Sequence, residues 1–159
     1  MGAVAAVLTV SDRSSAGERF DTGGPRAVAA LRAAGLECGD PVVVPDGADS
    51  VEGALRGLLA DGIRLIVTTG GTGVGPRDET PEGTARVITR EVPGIPEELR
   101  RRAAAAKPAG MLSRGLAGTV GDGLVVNLPG SPAAVDDGMP VIVSIAQHVL
   151  GQLRGEDHR

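Results

Sequence analysis

Short apolar runs alternate with amphipathic stretches along the whole chain. The runs at Ala3–Val10 and Arg64–Thr69 are rich in apolar and β-branched residues, which is typical of parallel strands buried on both faces. Shorter runs predict two further strands, at Pro41–Val44 and Leu124–Leu128. Strands separated by helices form right-handed βαβ units. The pattern therefore predicts an α/β protein, a three-layer α/β/α sandwich with a mostly parallel central sheet.

The amphipathic stretches predict five helices, over Pro25–Ala34, Ser50–Ala60, Thr80 to about Arg90, Glu97–Ala106 and Ser131–Leu153. Gly35 is placed to end the first of these helices, and Ser50 and Thr80 are candidate N-caps of the second and third. Gly138 and Pro140 fall inside the last one. Because proline lacks a backbone donor, we expect that helix to be kinked or divided there.

Length and composition favour one soluble globular domain over residues 1–159, with 42% hydrophobic and 23% charged residues. The net charge of −4 and the single aromatic residue, Phe20, argue against a nucleic-acid partner and against an anionic membrane surface. Neither a signal peptide nor an apolar run of about 20 residues is recognisable. We expect a cytoplasmic protein, with a disordered polar tail at residues 155–159.

Cysteine and histidine are too few to support thiol or zinc chemistry. Cys38 is the only cysteine, and with His148 and His158 alone it cannot complete a typical zinc site. We interpret Cys38 as a small buried or edge residue and His148 as a partly buried helix residue. Catalysis is therefore expected to use oxygen chemistry.

The segment Thr68–Pro81, TTGGTGVGPRDETP, carries the strongest functional signal. It follows a predicted strand and leads into a predicted helix, so its glycines can turn backbone N–H groups toward an anion. It lacks the Lys-Ser/Thr pair of a Walker loop and the spacing of the dinucleotide fingerprint. A tight turn would explain one or two glycines, but hardly Gly-Gly-Thr-Gly followed by Arg and Asp. We interpret the segment as a phosphate-binding loop.

Two acids are expected near this loop. Asp78 lies within the segment, and Asp46 follows the predicted Pro41–Val44 strand in VVPDG. Two carboxylates beside bound phosphates can hold Mg²⁺. Either aspartate alone is explained better by an Asx-type turn or a helix cap. Their combination with the glycines favours a metal site.

The loop, together with SDRSSAGERFDTGGP, VVPDG, MLSRG and NLPGSPAAV, resembles the Mog/MoaB family of molybdenum-cofactor biosynthesis over nearly the whole chain. The resemblance implies a compact α/β fold, a homotrimer and, in active members, a molybdopterin adenylyltransferase. Such a nucleotidyltransferase uses Mg²⁺ and ATP to adenylylate molybdopterin and releases pyrophosphate. The resemblance also implies a transient contact with the molybdenum insertase. Gly83 and Pro140 depart from the family's usual helix formers.

The resemblance assigns roles to individual residues. Asp46 and Asp78 match the family's two functional acids, for Mg²⁺ binding and catalysis. The residues matching its ligand-binding positions are Ser11 and Asp12 at the first strand edge, Gly70, Gly71, Thr72 and Gly73 in the phosphate loop, Ser113 and Arg114 on the pterin side, and Gly130, Ser131 and Pro132 in a second loop. Ser113 is expected to hydrogen-bond ligand, because no nucleophile elbow surrounds it.

Adenylyl transfer brings two anions together, so cations are needed. Arg77 and Arg114 are the candidates, although a solvated surface arginine explains Arg77 equally well. Three other functions remain open: a non-catalytic molybdopterin-binding or carrier protein, a domain of a larger insertase, and a nucleotide-dependent enzyme outside cofactor synthesis. Retention of both Asp46 and Asp78 argues against the carrier, and the order of the LSR and LPGSP segments argues against the third alternative.

Overall fold

The structure is a computed structural model that describes residues 4–156. Its strands are β1 Ala5–Val10, β2 Val42–Val44, β3 Leu65–Thr69, β4 Arg90–Glu91, β5 Ala117–Val120 and β6 Gly123–Leu128. They form one sheet in the order β2-β1-β3-β6-β5-β4. The first four strands in that order are parallel, and β5 and β4 run antiparallel to their neighbours. The predicted mostly parallel sheet is confirmed.

Helices cover both faces of the sheet, as the pattern predicts. They are α1 Asp12–Ser15, α2 Gly23–Ala33, α3 Ala48–Ala60, α4 Thr80–Ala85, α5 Gly94–Ala106 and α6 Pro132–Leu153, with a 3₁₀ turn at Pro108–Leu112. On one face α2, α5 and α6 contribute to a large apolar core, and α3 contributes to a smaller core on the other. The three-layer α/β/α architecture is therefore confirmed.

Alternate residues of the central strands enter opposite cores. Val7, Val67 and Val126 lie side by side in register and point into the larger core, whereas Ile66 and Val125 point into the smaller one. All five are fully buried. Because both faces of these strands are covered, the sequence shows continuous apolar runs rather than alternation.

The sequence pattern did not indicate β4 and β5, and the predicted helix from Thr80 to about Arg90 is too long. Helix α4 ends at Ala85, and Arg90 belongs to β4. Thr89 N donates to Thr119 O at 2.8 Å, and Val92 N donates to Ala117 O at 2.9 Å. The backbone therefore leaves the helix to pair with β5. A strand of two exposed residues has no apolar pattern in the sequence that would predict this pairing.

The predicted N-caps Ser50 and Thr80 are wrong, because each lies inside its helix. Helix α3 begins at Ala48, whose backbone N donates to Glu79 Oε2 at 2.9 Å. A side chain from a distant part of the chain thus supplies the cap. Ser50 Oγ instead donates to Gly47 O at 3.0 Å.

The last helix, α6, runs unbroken through Pro140 from Pro132 to Leu153, so of the two predicted alternatives, a kink or a division, the division is wrong. Its N-cap is Ser131, close to the predicted start of the helix, with Oγ accepting from Ala134 N at 3.1 Å. Gly138 serves close packing, since a Cβ there would lie 2.7 Å from Leu128 Cδ2. Burial against the sheet offsets the backbone bond that proline removes.

The chain ends are described only in part. In the predicted disordered tail, the backbone N of Glu156 donates to Gly151 O at 3.0 Å. Residues 157–159, with His158, lie outside the described residues, as does Ala3, the first residue of the first predicted strand. Over positions 4–156, no helix has the length and apolar character needed to cross a membrane.

Candidate functional site

A cleft of about 540 Å³ opens at the carboxyl ends of the parallel strands, where ligands bind in open α/β sheets. Its size is in the range of small-molecule sites. The residues of the sequence-based set that line it are Ser11, Asp46, Gly70, Gly71, Thr72, Gly73, Asp78, Ser113, Gly130 and Ser131. The other three, Asp12, Arg114 and Pro132, do not line it. The structure thus brings most of the predicted residues together.

The glycine loop, residues 70–78 of the predicted phosphate-binding segment, lies between two strand ends. It leaves no space for a side chain at Gly70 or Gly71. Gly70 and Gly71 have φ values of +94° and +67°, a region that favours glycine. A Cβ on Gly70 would lie 2.2 Å from Val10 O, and one on Gly71 would lie 2.2 Å from Thr80 Oγ1. Thr80 fixes the loop through bonds from its Oγ1 to Gly70 O at 2.9 Å and from its N to Gly71 O at 3.0 Å.

Four consecutive N–H groups of the loop, those of Gly71, Thr72, Gly73 and Val74, donate to no acceptor within residues 4–156, and the first three of these residues line the cleft. The flanking N–H groups are used, because Gly70 N donates to Leu128 O at 2.9 Å and Gly75 N donates to Asp78 Oδ2 at 3.0 Å. Successive N–H groups of this kind form an anion-binding concavity.

Asp46 reaches the loop from the end of β2. Its backbone and that of Asp12 exchange hydrogen bonds with each other's carboxylates: Asp12 N donates to Asp46 Oδ2 at 2.9 Å, and Asp46 N donates to Asp12 Oδ1 at 3.1 Å. The second oxygen, Asp46 Oδ1, would lie 3.2 Å from a Cβ on Gly71. Burial, with the nearby Asp12 and Asp78 carboxylates, raises the pKa of Asp46.

Asp78 closes the far end of the loop. Its Oδ2 accepts from Gly75 N, and its own N donates to Gly75 O at 3.1 Å. The Asx-type turn expected for this residue is therefore present, and the second carboxylate oxygen of Asp78 stays available as a metal ligand. Within the described chain neither Asp78 Oδ1 nor Asp46 Oδ1 accepts a hydrogen bond. Each acid holds the backbone with one oxygen and leaves the other for a ligand.

The candidate cations Arg77 and Arg114 are both paired with acids in the structure, and neither lines the cleft. Arg77 pairs with Asp12 through Nε at 3.1 Å and Nη2 at 3.2 Å, and it donates to Asp46 O at 2.9 Å. Its hydrogen bonds lower the pKa of Asp12. Arg77 is an exposed surface arginine, as one alternative predicted, with 61% of its side chain accessible, and its hydrogen bonds brace the loop that carries Asp46.

Arg114 braces the glycine loop itself. Its guanidinium pairs with Glu82 at 2.7 Å and donates to Gly73 O and Asp78 O, both at 2.8 Å, while its backbone N donates to Thr72 O at 2.7 Å. The pairing lowers the pKa of Glu82. Charge-assisted bonds to backbone oxygens fix geometry strongly, so Arg114 positions the loop from behind.

The second loop and the LSR segment complete the cleft. A Cβ on Gly130 would lie 3.2 Å from Gly70 Cα, so the two loops touch. Ser113 Oγ accepts from Gly115 N at 3.3 Å, and Arg100 Nη1 donates to Ser113 O at 3.2 Å. Ser113 therefore presents its side chain from a segment held by Arg100.

Among the residues that line the cleft and that the sequence did not single out as ligand contacts are Arg19, Phe20 and Lys107. Phe20 is the only aromatic residue of the chain and is 93% exposed, and Lys107 is the only lysine. For Phe20 and Lys107, being the only residue of their type was the one signal available in the sequence.

Over the described positions, no three histidine, cysteine or acidic side chains form a group that could hold a metal. A cation here would have two carboxylates and take its other ligands from phosphates and water.

Comparison with known proteins places the chain among molybdenum-cofactor proteins. A family model described as a probable molybdopterin binding domain matches residues 6–148. Molybdopterin adenylyltransferase of Haemophilus influenzae is 37% identical over 137 residues, which are 82% of this chain and 68% of that protein. The molybdenum cofactor biosynthesis bifunctional protein of Chlorobaculum tepidum is 36% identical over 96% of this chain and 49% of its own length. The chain thus spans about half the length of that relative.

Solved structures with the same fold carry related names. The molybdopterin biosynthesis Mog protein from Mycobacterium ulcerans superimposes with a TM-score of 0.89 at 37% identity, covering 96% of this chain and 99% of that one. MoaB from Thermus thermophilus superimposes with a TM-score of 0.87 at 38% identity, covering 98% of both chains.

Proposed function

The chain belongs to the Mog/MoaB family of molybdenum-cofactor biosynthesis proteins, and from this premise we propose that it is a molybdopterin adenylyltransferase. It transfers AMP from Mg-ATP to the terminal phosphate of molybdopterin and releases pyrophosphate. The homotrimer, the cytoplasmic location and the contact with a molybdenum insertase stay predictions beside it.

One observation carries the proposal. The unpaired N–H groups of Gly71, Thr72 and Gly73 belong to the same cleft lining as Asp46 and Asp78, and each of these two carboxylates has one oxygen that accepts no hydrogen bond within residues 4–156. Donors for phosphate and hard oxygen ligands for Mg²⁺ therefore meet in one cleft. A site built only to hold a neutral ring would not need this pairing.

The donor set fits Mg²⁺, because this ion binds through one or two carboxylates and completes its shell with phosphates and water. Asp46 and Asp78 would hold it, and it would neutralise charge on the reacting phosphates. The mutual proximity of the Asp46 and Asp78 carboxylates, which contributes to the raised pKa of Asp46, is a repulsion that a bound cation relieves.

The remaining work falls to positioning. An oxygen of the molybdopterin phosphate forms a bond to the α-phosphorus of ATP while the bond from that phosphorus to the pyrophosphate oxygen breaks. The loop N–H groups stabilise the negative charge of the phosphates without reorganising, since Thr80 and Arg114 hold the loop rigid. No covalent enzyme intermediate is required.

The test is incubation with molybdopterin, MgCl₂ and ATP labelled at the α-phosphate. We expect labelled pterin in the wild type and none without Mg²⁺. Tight pterin binding without labelled product would overturn the proposal and identify a carrier. Labelled product that forms equally well in Asp78→Asn would refute the role of that acid.

A further inference from the structure

The charges that line the cleft are unbalanced. Four acids line it, Asp21, Asp46, Asp78 and Asp137, against two cations, Arg19 and Lys107. The proposed function brings a triphosphate and a second phosphate into this space. Bound Mg²⁺ would offset part of that charge, but the arginines nearest the loop are already paired with acids. Arg19 and Lys107 are the only positively charged side chains lining the described cleft.

Both side chains are available to a ligand. Neither makes a side-chain hydrogen bond or ion pair within residues 4–156, and both residues are exposed. Most other arginines contact an acid or a backbone oxygen, as Arg26 does with Asp136 and Arg64 with Asp122. Unpaired cations that point into solvent at a cleft can rearrange onto phosphate oxygens at little cost.

The backbone beneath each cation is fixed. Two residues after Arg19, the Asp21 carboxylate accepts from Thr9 Oγ1 at 2.7 Å and from Gly24 N at 2.9 Å, which ties the loop to β1 and α2. Lys107 N donates to Ala103 O at 3.0 Å, and Lys107 O accepts from Gly110 N at 2.9 Å. Each cation is therefore a flexible side chain on a backbone segment that hydrogen bonds hold in place.

Arg19 and Lys107 are carried by segments next to the two helices that pack against α6. Helix α6 packs against both α2 and α5. Arg19 precedes α2 and Lys107 follows α5, so the cations reach the cleft from two different neighbours of α6. The first turn of α6 lines the cleft through Ala133 and Ala134, and its N-terminus adds a favourable potential for anions.

We propose that Arg19 and Lys107 together bind phosphate oxygens of the substrates in this cleft. The inference rests on the proposed function and adds to it a pair of binding residues that recognise charge on the ligand. The shared chemistry is a phosphate group, supplied either by the nucleotide or by the pterin. Neutral rings without phosphate gain nothing from the pair.

The test compares Arg19→Gln and Lys107→Gln with Arg90→Gln, a control that removes the same charge from an exposed arginine of the edge strand β4, away from the cleft. Calorimetry measures the dissociation constants of Mg-ATP, molybdopterin and adenosine. We expect each cleft variant to bind phosphate-bearing ligand about fivefold more weakly, the upper range for one exposed ion pair, and the double variant about 25-fold more weakly if the effects add.

Adenosine affinity should not change in any variant. The affected ligand identifies the source: loss for Mg-ATP alone assigns the pair to the nucleotide, and loss for molybdopterin alone assigns it to the pterin phosphate. Arg19→Lys and Lys107→Arg should restore most of the affinity, which a folding defect would not permit. The wild-type affinity should also fall more steeply with added NaCl than that of the double variant.

Cleft variants that bind both ligands as tightly as Arg90→Gln would overturn the inference while leaving adenylyl transfer untouched. A wild type that binds pterin but neither binds nor uses Mg-ATP would instead refute the proposed function. In that case the inference survives only if the molybdopterin affinity still falls in the two cleft variants.

Discussion

Alanine substitutions at Gly70, in the glycine loop, and at Gly62, before β3, distinguish two destabilising effects of a side chain: an unfavourable backbone conformation and a steric collision. Both have left-handed backbones, with φ +94° at Gly70 and φ +90° at Gly62. A Cβ on Gly62 would meet nothing within 4 Å, whereas one on Gly70 would lie 2.2 Å from the backbone oxygen of Val10. Alanine at Gly62 therefore suffers only the conformational penalty, and alanine at Gly70 suffers the penalty and a collision.

The magnitude follows from these contacts. The left-handed backbone costs an alanine about 1–2 kcal/mol at either position. Ordinary contact begins at 3.4 Å, so the alanine Cβ at Gly70 must move about 1.2 Å away from Val10 O, and neither the Cβ nor the backbone oxygen can rotate aside. Overpacking of this kind adds about 1–3 kcal/mol. Gly70→Ala should thus lose about 2–5 kcal/mol of unfolding free energy, against 1–2 kcal/mol for Gly62→Ala.

Urea unfolding of the two variants measures the difference, and calorimetric titration with Mg-ATP measures its effect on the site. We expect Gly62→Ala to bind Mg-ATP like the wild type, because it lies at the opposite end of β3 from the cleft. Gly70→Ala should bind at least tenfold more weakly, since the displaced loop carries the unpaired N–H groups. Equal stabilities and equal affinities in the two variants would show that the loop tolerates a side chain and would refute this reasoning.

Four further outcomes are expected. Asp78→Asn should lower adenylyl transfer about 100-fold while the thermal midpoint stays near that of the wild type, as for loss of one charge-stabilising group; near-normal turnover would remove its role. Asn127→Ala should cost about 3 kcal/mol in urea unfolding, because Thr68 and Thr84 lose a buried partner; a loss under 1 kcal/mol would contradict this. Cys38 should react with a thiol reagent far more slowly in the native protein than in urea, since burial raises its pKa; equal rates would place it at the surface. Absorbance near 280 nm after gel filtration should report retained pterin or nucleotide, as the chain has no Trp or Tyr.

Much of the fold was predictable because segments buried in the core appear in the sequence as runs of apolar residues. The runs at β1 and β3 are dominated by apolar and β-branched residues, since both faces of these strands are covered. Strand β4 was not predictable, because two exposed residues carry no apolar pattern and their pairing with β5 is set by distant backbone. The same limit applies to the cap of α3, where Glu79 acts from 31 residues away.

The site shows a similar division. The glycines and Asp46 follow strands directly, so their meeting at one sheet edge could be anticipated. The pairings of Arg77 with Asp12 and of Arg114 with Glu82 could not be, because each joins segments at least 30 residues apart. Arg19 and Lys107 were missed for the opposite reason: they have no partner within the described chain, and an isolated charge in a sequence resembles any solvated residue.

The measurement that most directly tests the central claim is a single-turnover reaction with enzyme in excess over molybdopterin, in MgCl₂ and ATP labelled at the α-phosphate. Adenylyl transfer predicts one labelled AMP joined to each pterin and one pyrophosphate released with it, with both products absent when molybdopterin is omitted. Pyrophosphate without labelled pterin, or pterin retained on the protein with ATP unconsumed, would contradict the claim.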